Sequence, residues 1–109
     1  MMTMTDELAF VLQQLRAGLE AQYGDRLDRV LLYGSRARGD AGPESDVDVL
    51  VVLKGEVNPL AEIHANEFLV ADLSLENDLV ILCLFMSQRE FVEEDDLFLR
   101  NVRRDAVVV

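Results

Sequence analysis

Two short motifs flanking a polar loop hold the side chains best suited to chemistry. Gly34 and Ser35 follow a β-prone segment, residues 29–33, and Asp46 and Asp48 open the next one, residues 46–53. Because side chains alternate along a strand, carboxylates two residues apart point to the same face and can share one divalent cation. Oxygen ligands favour Mg²⁺ or Mn²⁺, and Mg²⁺ is usually completed by substrate phosphates.

The turn between the motifs offers groups that bind phosphate. Glycine at position 34 lets the backbone approach a ligand closely, exposed N–H groups can cradle a phosphate, and Ser35 adds a hydroxyl donor. Combined with a metal at Asp46 and Asp48, this turn predicts nucleoside-triphosphate chemistry.

Two arginines in the loop are candidates for phosphate contacts. Arg36 and Arg38 could neutralise charge that develops on pyrophosphate. The alternative for each is a surface ion pair with Asp40 or Glu44.

Amphipathic segments around the motifs predict helices. Apolar residues recur at three and four residues from Leu8 to Tyr23, with Thr5 as N-cap and Gly24 as stop. A second helix is predicted from the Asn58-Pro59 start to about Glu76.

The remaining elements follow in the last third of the chain. Residues 79–86 predict a strand buried on both faces, and Ser87 opens a capping box for a further helix. That helix is expected to break near residues 95–96, to resume through Arg104, and to precede a short edge strand in 107–109. Strands alternating with helices predict an α/β fold, a mixed β-sheet flanked by helices.

Length and composition favour one domain, residues 1–109, in the cytoplasm. The 109 residues carry 21 acids and 10 bases, a net charge of −11, and 50% are hydrophobic. No apolar run is long enough to span a bilayer, the N-terminus lacks the features of an export signal, and the single cysteine, Cys83, fits a reducing compartment. The acidity argues against direct DNA binding.

The motifs GSRARGD and SDVDVLVV resemble the nucleotidyltransferase superfamily with the DNA polymerase β-type palm, in its minimal single-domain branch. The resemblance covers nearly the whole chain and matches at Gly34, Ser35, Asp46 and Asp48. It implies an Mg²⁺-dependent enzyme that transfers a nucleoside monophosphate, AMP from ATP, to a hydroxyl with release of pyrophosphate. Minimal members are often antitoxins paired with a small helical HEPN protein, and some adenylylate a tyrosine on that partner.

The resemblance also implies a third carboxylate on a later strand, as metal ligand and general base. Residues 79–86 contain no acid; Asp78 is the nearest candidate for this catalytic and metal-binding role and Glu76 a weaker one. This departure keeps two other functions open. One is an inactive binding module that neutralises a HEPN partner by contact, and the other is a domain that senses nucleotide without turnover. A single short domain also predicts that a partner, or self-association, supplies the acceptor site.

Other polar residues are expected to be structural. His64 lacks a metal-spaced neighbour, Cys83 is expected to pack in a strand, and residues 93–96 are expected to form a solvated helix end. Residues 56–99 hold 11 acids and one base, Arg89, whereas Arg100, Arg103 and Arg104 reverse the sign at the end of the chain.

Overall fold

A four-stranded mixed sheet carries the two motifs. The computed structural model describes residues 5–42 and 45–109; Glu44, an expected partner of the loop arginines, lies outside them. The elements are α1 (Asp6–Tyr23), β1 (Leu27–Tyr33), α2 (Ser35–Arg38), β2 (Val47–Leu53), α3 (Pro59–Ala65), α4 (Glu67–Glu76), β3 (Ile81–Ser87), α5 (Gln88–Glu93), α6 (Leu97–Asp105) and β4 (Val107–Val108).

The strand order is β3-β2-β1-β4. β2 and β3 are parallel and joined through α3 and α4, whereas β1 pairs antiparallel with both β2 and β4. The predicted mixed sheet flanked by helices is therefore confirmed.

Helix α1 packs its apolar stripe on one face of the sheet. Thr5 caps it by accepting a hydrogen bond from the Leu8 N–H, and Gly24 ends it, as the sequence predicts. Leu15 and Leu19 are fully buried against Val49 and Val51 of β2 in the larger core cluster. Burying each such leucine contributes about 1.5–3 kcal/mol, so α1 anchors the strand that carries Asp48.

Helices α5 and α6 cover the opposite face. Ser87 caps α5 by accepting from the Glu90 N–H, and α6 begins after the predicted break. Phe91 and Leu99 pack there on Leu50 of β2. The side chain of Asp48 shares this face, because it lies two residues before Leu50.

The single helix predicted from residue 58 to 76 is wrong, because the helix divides at Asn66. Asn66 is only 3% exposed. Its Nδ2 donates to the Tyr23 Oη (2.7 Å) and to the Glu62 carbonyl (2.8 Å), and the Tyr23 hydroxyl donates to a Glu62 carboxylate oxygen (2.6 Å). A buried amide must find such partners, and this network with α1 redirects the chain at Asn66.

The apolar residues whose spacing predicts a helix in this segment do not lie on its buried face. Leu60, Phe68 and Leu75 are each about four-fifths exposed, and the side of α4 that meets the core carries Leu69 and Leu73. Helical periodicity was therefore informative about the secondary structure but not about which side is buried.

The prediction that residues 79–86 are buried on both faces is also wrong. β3 is an edge strand whose burial alternates. Ile81 and Phe85 face the core, whereas Leu82 and Leu84 are 47% and 42% exposed. Helices α5 and α6 cover the face above β1 and β2 and leave that of β3 open. In the described residues, no helix has the length and apolar character needed to cross a membrane.

Candidate active site

The turn after β1 and the start of β2 meet through Gly34 and Asp48. Gly34 has a φ of +78°, and a Cβ built on it would lie 2.5 Å from Oδ2 of Asp48. That distance is too short for any side chain, so the backbone of the turn touches the carboxylate only because residue 34 is glycine. The structure thus brings together two of the predicted site residues.

Ser35 begins the short helix expected after the turn. The carbonyl of Gly34 accepts from the N–H groups of Ala37 and Arg38, and the carbonyl of Ser35 accepts from Gly39 and Asp40. Gly39 ends α2 in a left-handed conformation. These bonds fix the turn in one shape, which holds Ser35 directly beside the Gly34–Asp48 contact.

The two carboxylates at the start of β2 repel one another. Burial, and secondarily the charge of Asp46, raise the pKa of Asp48. Asp46 is exposed and immediately precedes β2, where the Val47 N–H donates to the Val80 carbonyl (2.8 Å) and fixes the start of the strand. Two carboxylates in this relation fit a divalent cation, whose positive charge would relieve their repulsion.

Arg36 contacts the loop that precedes the carboxylates. Its Nε and Nη2 both donate to the Ser45 carbonyl, at 3.0 and 2.7 Å. This bidentate contact ties α2 to the residue before Asp46, so Arg36 positions the site. Its contact with phosphate remains a prediction.

Arg38 forms the surface ion pair that was the alternative to a phosphate contact. Its Nε lies 3.2 Å from Oδ2 of Asp40, and both side chains are largely exposed. Such a pair is weak and exchanges easily, so Arg38 stays available to a phosphate and this role also remains a prediction.

Tyr33 is a site residue that the sequence reasoning missed. It lies opposite Asp48 in the β1–β2 register, and its ring packs edge-on against Phe98 of α6, with centroids 5.3 Å apart. Burial, and then the charges of Asp48 and Cys83, raise the pKa of Tyr33 to about 12. Together with Gly34 and Arg38 it lines a pocket of about 220 Å³ that reaches α6. Its place immediately before Gly34, on the face of Asp48, was the available signal.

The structure does not bring Asp78 into a group with Asp46 and Asp48. Asp78 is exposed, with a φ of +52°, in the turn after α4. Within residues 5–42 and 45–109, no three His, Cys, Asp or Glu side chains lie close enough to hold a metal ion. The residue beside Asp48 in the β2–β3 register is Leu82, which has no ligand atom. A catalytic or metal-binding role for Asp78, or for Glu76, remains a prediction.

The remaining polar candidates have structural surroundings. His64 is exposed, with its Nδ1 3.3 Å from Oε2 of Glu67. Cys83 packs partly buried against the α1 side of the core, and burial raises its pKa to about 12. Asp95 pairs with Arg100 at 3.1 Å, which holds the pKa of this carboxyl below its usual value.

The mixed sheet, the glycine-serine turn and the paired carboxylates are the features that the sequence analysis expects of a nucleotidyltransferase. The family model described as "Nucleotidyltransferase domain" matches residues 12–107, and the chain belongs to this family. The predicted enzyme class is thereby confirmed.

Individual relatives agree with this assignment. The chain is 37% identical over 75 residues to "Putative protein adenylyltransferase MJ0141" of Methanocaldococcus jannaschii, which covers 69% of this chain and 75% of the relative. A solved "putative minimal nucleotidyltransferase" superposes with a TM-score of 0.57 at 26% identity, over 98% of this chain and 99% of the other. A chain of a "toxin-antitoxin with AMP-PNP" superposes with a TM-score of 0.60 at 15% identity, over 95% and 72%, a likeness of fold alone.

Proposed function

We propose that this protein transfers AMP from ATP to a hydroxyl on a partner protein, as the antitoxin of a toxin-antitoxin pair whose toxin is a HEPN-type helical protein. The observation that carries the catalytic part is the contact of Gly34 with Asp48, which joins a phosphate-binding turn to a carboxylate pair. The adenylyltransferase name of the archaeal relative supports AMP as the transferred group, and the toxin-antitoxin structure supports the pairing.

The reaction follows from what each residue can hold. A divalent cation bound by Asp46 and Asp48, Mg²⁺ in our proposal, would offset the charge of the triphosphate and polarise its α-phosphate. The backbone at Gly34 and the Ser35 hydroxyl hold the far phosphates, and Arg38 faces the same turn. Arg36 fixes the loop before Asp46, and its predicted contact with phosphate would add to that positioning role.

The chemical step is a substitution at phosphorus. The acceptor hydroxyl oxygen forms a bond to the α-phosphorus, and the bond from that phosphorus to the bridging oxygen breaks. Pyrophosphate leaves with the electron pair, and the proton of the hydroxyl passes to water. Asp78 would assist as a base only if the turn after α4 brought it to the acceptor.

A specific observation favours a second function, a binding module without turnover. Leu82 occupies the position beside Asp48, and the described residues offer no third acid near the pair. In this alternative the protein neutralises its toxin by contact and the site binds nucleotide without reaction.

The two functions are separated by one experiment. The protein is incubated with α-labelled ATP, Mg²⁺ and the purified product of the neighbouring gene, and label on that product is measured. We expect transfer by the wild type and a loss of about 100-fold or more in Asp46→Asn and Asp48→Asn. Glu93→Gln, which changes an exposed carboxylate on α5, is the matched control and should leave transfer unchanged.

The same proteins are also tested for neutralisation of the toxin in cells, and the two results are interpreted together. If the wild type transfers no label and Asp46→Asn still neutralises the toxin, the binding module is correct and the catalytic proposal is wrong.

A further inference from the structure

β3 presents an unpaired edge beside the candidate active site. It is the last strand on its side of the four-stranded sheet. The Val47 N–H donates to the Val80 carbonyl, so in this parallel ladder the even-numbered residues of β3 direct their backbone groups toward β2. Ile81, Cys83 and Phe85 therefore direct their N–H and C=O groups outward.

Among residues 5–42 and 45–109, only the beginning of this edge has a partner from the chain itself. The Ile81 N–H donates to the Ser74 hydroxyl of α4, at 3.2 Å. In the part of the chain that the structure describes, Cys83 and Phe85 have no such partner for their outward groups. An apolar edge with free backbone donors and acceptors is a template on which another polypeptide can add a strand.

An apolar groove of about 540 Å³ runs along this edge, between β3 and the helices α3 and α4. Ile63, Val70 and Ala71 form the helical side, and residues 81–85 form the other. A strand added to β3 would place alternate side chains into this groove and the others on the opposite face, over Leu82 and Leu84.

The side chains of the added strand that lie over Leu82 and Leu84 would face the candidate active site. Leu82 lies beside Asp48 in the register, and the half-exposed Leu82 and Leu84 lead from the edge toward that carboxylate. An added strand would lie two strand spacings from β2, roughly 10 Å. A long hydroxyl side chain on this face can extend over Leu82 toward a nucleotide held at Asp48.

Charge identifies the kind of occupant. Glu67 lines the groove, and residues 59–87, which run from α3 to the end of β3, hold five acids and no Lys or Arg. A second copy of this chain would bring the same acidic surface to the interface and be repelled. A basic segment would be attracted.

The structure assigns the outer edge of β3 as the docking site for an extended basic segment of the partner protein. The segment pairs with the Cys83 and Phe85 backbone, fills the α3–α4 groove with apolar side chains, and presents its acceptor hydroxyl over Leu82. This inference rests on the proposed function, because it supplies the acceptor for that reaction.

The test uses a phage-displayed library of peptides of about ten residues, panned against the full chain without nucleotide. We expect enriched peptides to combine alternating apolar residues with Lys or Arg. The best peptide, made synthetically with a fluorophore, is the probe for affinity measurements.

Cys83→Pro removes one outward N–H that β2 does not use, and it should weaken binding of this peptide about tenfold or more. Ala71→Arg, on the exposed groove wall, should weaken it similarly even if the proline variant folds poorly. Phe10→Lys, at an exposed apolar residue of α1, is the control and should bind as the wild type does.

Hydrogen exchange gives an independent measurement on the wild type. Bound peptide should slow exchange at the Cys83 and Phe85 amides and leave the opposite sheet edge, at Val108, unchanged. The inference is overturned by any of three results: no enrichment of basic apolar peptides, equal binding to Ala71→Arg and wild type, or a homodimer in sedimentation that Cys83→Pro dissociates. Peptide binding at this edge without AMP transfer to a hydroxyl of the peptide or of the neighbouring gene's product would instead refute the proposed function.

Discussion

At the scale of single residues, the candidate site depends on the missing side chain at position 34. Asp48 Oδ2 occupies the space where a Cβ would be, and the φ of +78° is one that other residues rarely adopt. Two demands, one steric and one conformational, therefore coincide at Gly34. They can be separated experimentally, because Gly55 has a similar φ of +82° with no atom within 4 Å of its Cβ position.

Gly34→Ala should displace Asp48 and lower transfer activity by about 100-fold, since a misplacement of about 1 Å can have that effect. Gly55→Ala shares the backbone strain, about 1–2 kcal/mol, and should leave activity unchanged. Initial rates of AMP transfer and urea unfolding of both variants measure the two effects. Equal activity losses in the two variants would show that backbone strain, and not the contact with Asp48, limits the site.

Asp48→Asn should stabilise the metal-free protein while it abolishes transfer. Burial and the charge of Asp46 raise the pKa of Asp48, so the ionised pair opposes folding. Removing one charge should raise the free energy of unfolding in EDTA by a few tenths to about 1 kcal/mol, because Asp48 is partly exposed and screened.

The ionisation of Asp48 should make the stability of the wild type depend on pH in one direction. A raised pKa in the folded state favours the protonated carboxyl, so wild-type stability from this group is present at low pH and is lost as pH rises through that pKa. Mg²⁺ should raise the melting temperature of the wild type and not that of Asp48→Asn. If Asp48→Asn had a lower free energy of unfolding than the wild type in EDTA, this explanation would be wrong.

At the scale of elements, sequence reasoning succeeded where local signals decide the structure. The Thr5 and Ser87 caps, the Gly24 stop and the two motifs on β1 and β2 all depend on near neighbours in the chain. It failed where distant contacts decide. The helix break depends on Asn66 bonding to Tyr23, 43 residues away.

The apolar residues of β3 were misleading for a related reason. A run such as residues 79–86 predicts burial but does not reveal whether a neighbouring strand or helix covers each side. The position of β3 at the sheet edge, and with it the exposure of Leu82 and Leu84, follows only from the assembled topology. For the candidate site, spacing predicted Gly34, Ser35, Asp46 and Asp48, whereas the place of Tyr33 depended on the β1–β2 register.

The hydrogen bonds that join Tyr23 of α1 to Glu62 and Asn66 should be lost at alkaline pH. Burial, and then the hydrogen bond to Glu62, raise the pKa of Tyr23 from 10.0 to about 12. A raised folded-state pKa means that the stability is present below pH 10 and is lost as pH rises toward about 12. Tyr23→Phe should cost about 1–2 kcal/mol near neutral pH, because it leaves the buried Asn66 amide short of a partner.

Urea unfolding at several pH values checks this prediction. The decrease in unfolding free energy above pH 10 should be smaller in Tyr23→Phe than in the wild type. Some decrease should remain, because Tyr33 and Cys83 also have pKa values raised to about 12. If the free energies of unfolding of the wild type and Tyr23→Phe fell in parallel as pH rises, the ionisation of Tyr23 would not be coupled to folding.

At the scale of the whole molecule, the net charge of −11 has two separate consequences. At the candidate site, a cation can neutralise the repulsion between Asp46 and Asp48. Over residues 59–87, from α3 to β3, five acids stand without a Lys or Arg, so they repel one another in the free protein and are available to a basic partner. The same surface that destabilises the isolated chain therefore favours association.

This balance predicts opposite effects for two identical charge reversals. In the described residues Asp72 makes no ion pair, and it lies on the exposed side of α4, one turn before Glu76. Asp72→Lys should raise the free energy of unfolding by about 0.5 kcal/mol, since it removes repulsion and offers a pair to Glu76. Asp95 is also exposed but pairs with Arg100 and Arg103, so Asp95→Lys should lower stability. Urea unfolding at low and high salt measures both changes, and both should shrink as salt rises. If both variants gained stability, total charge alone would govern stability, and if both lost stability, repulsion at Asp72 would be refuted. If both changes were unaffected by salt, neither would be electrostatic.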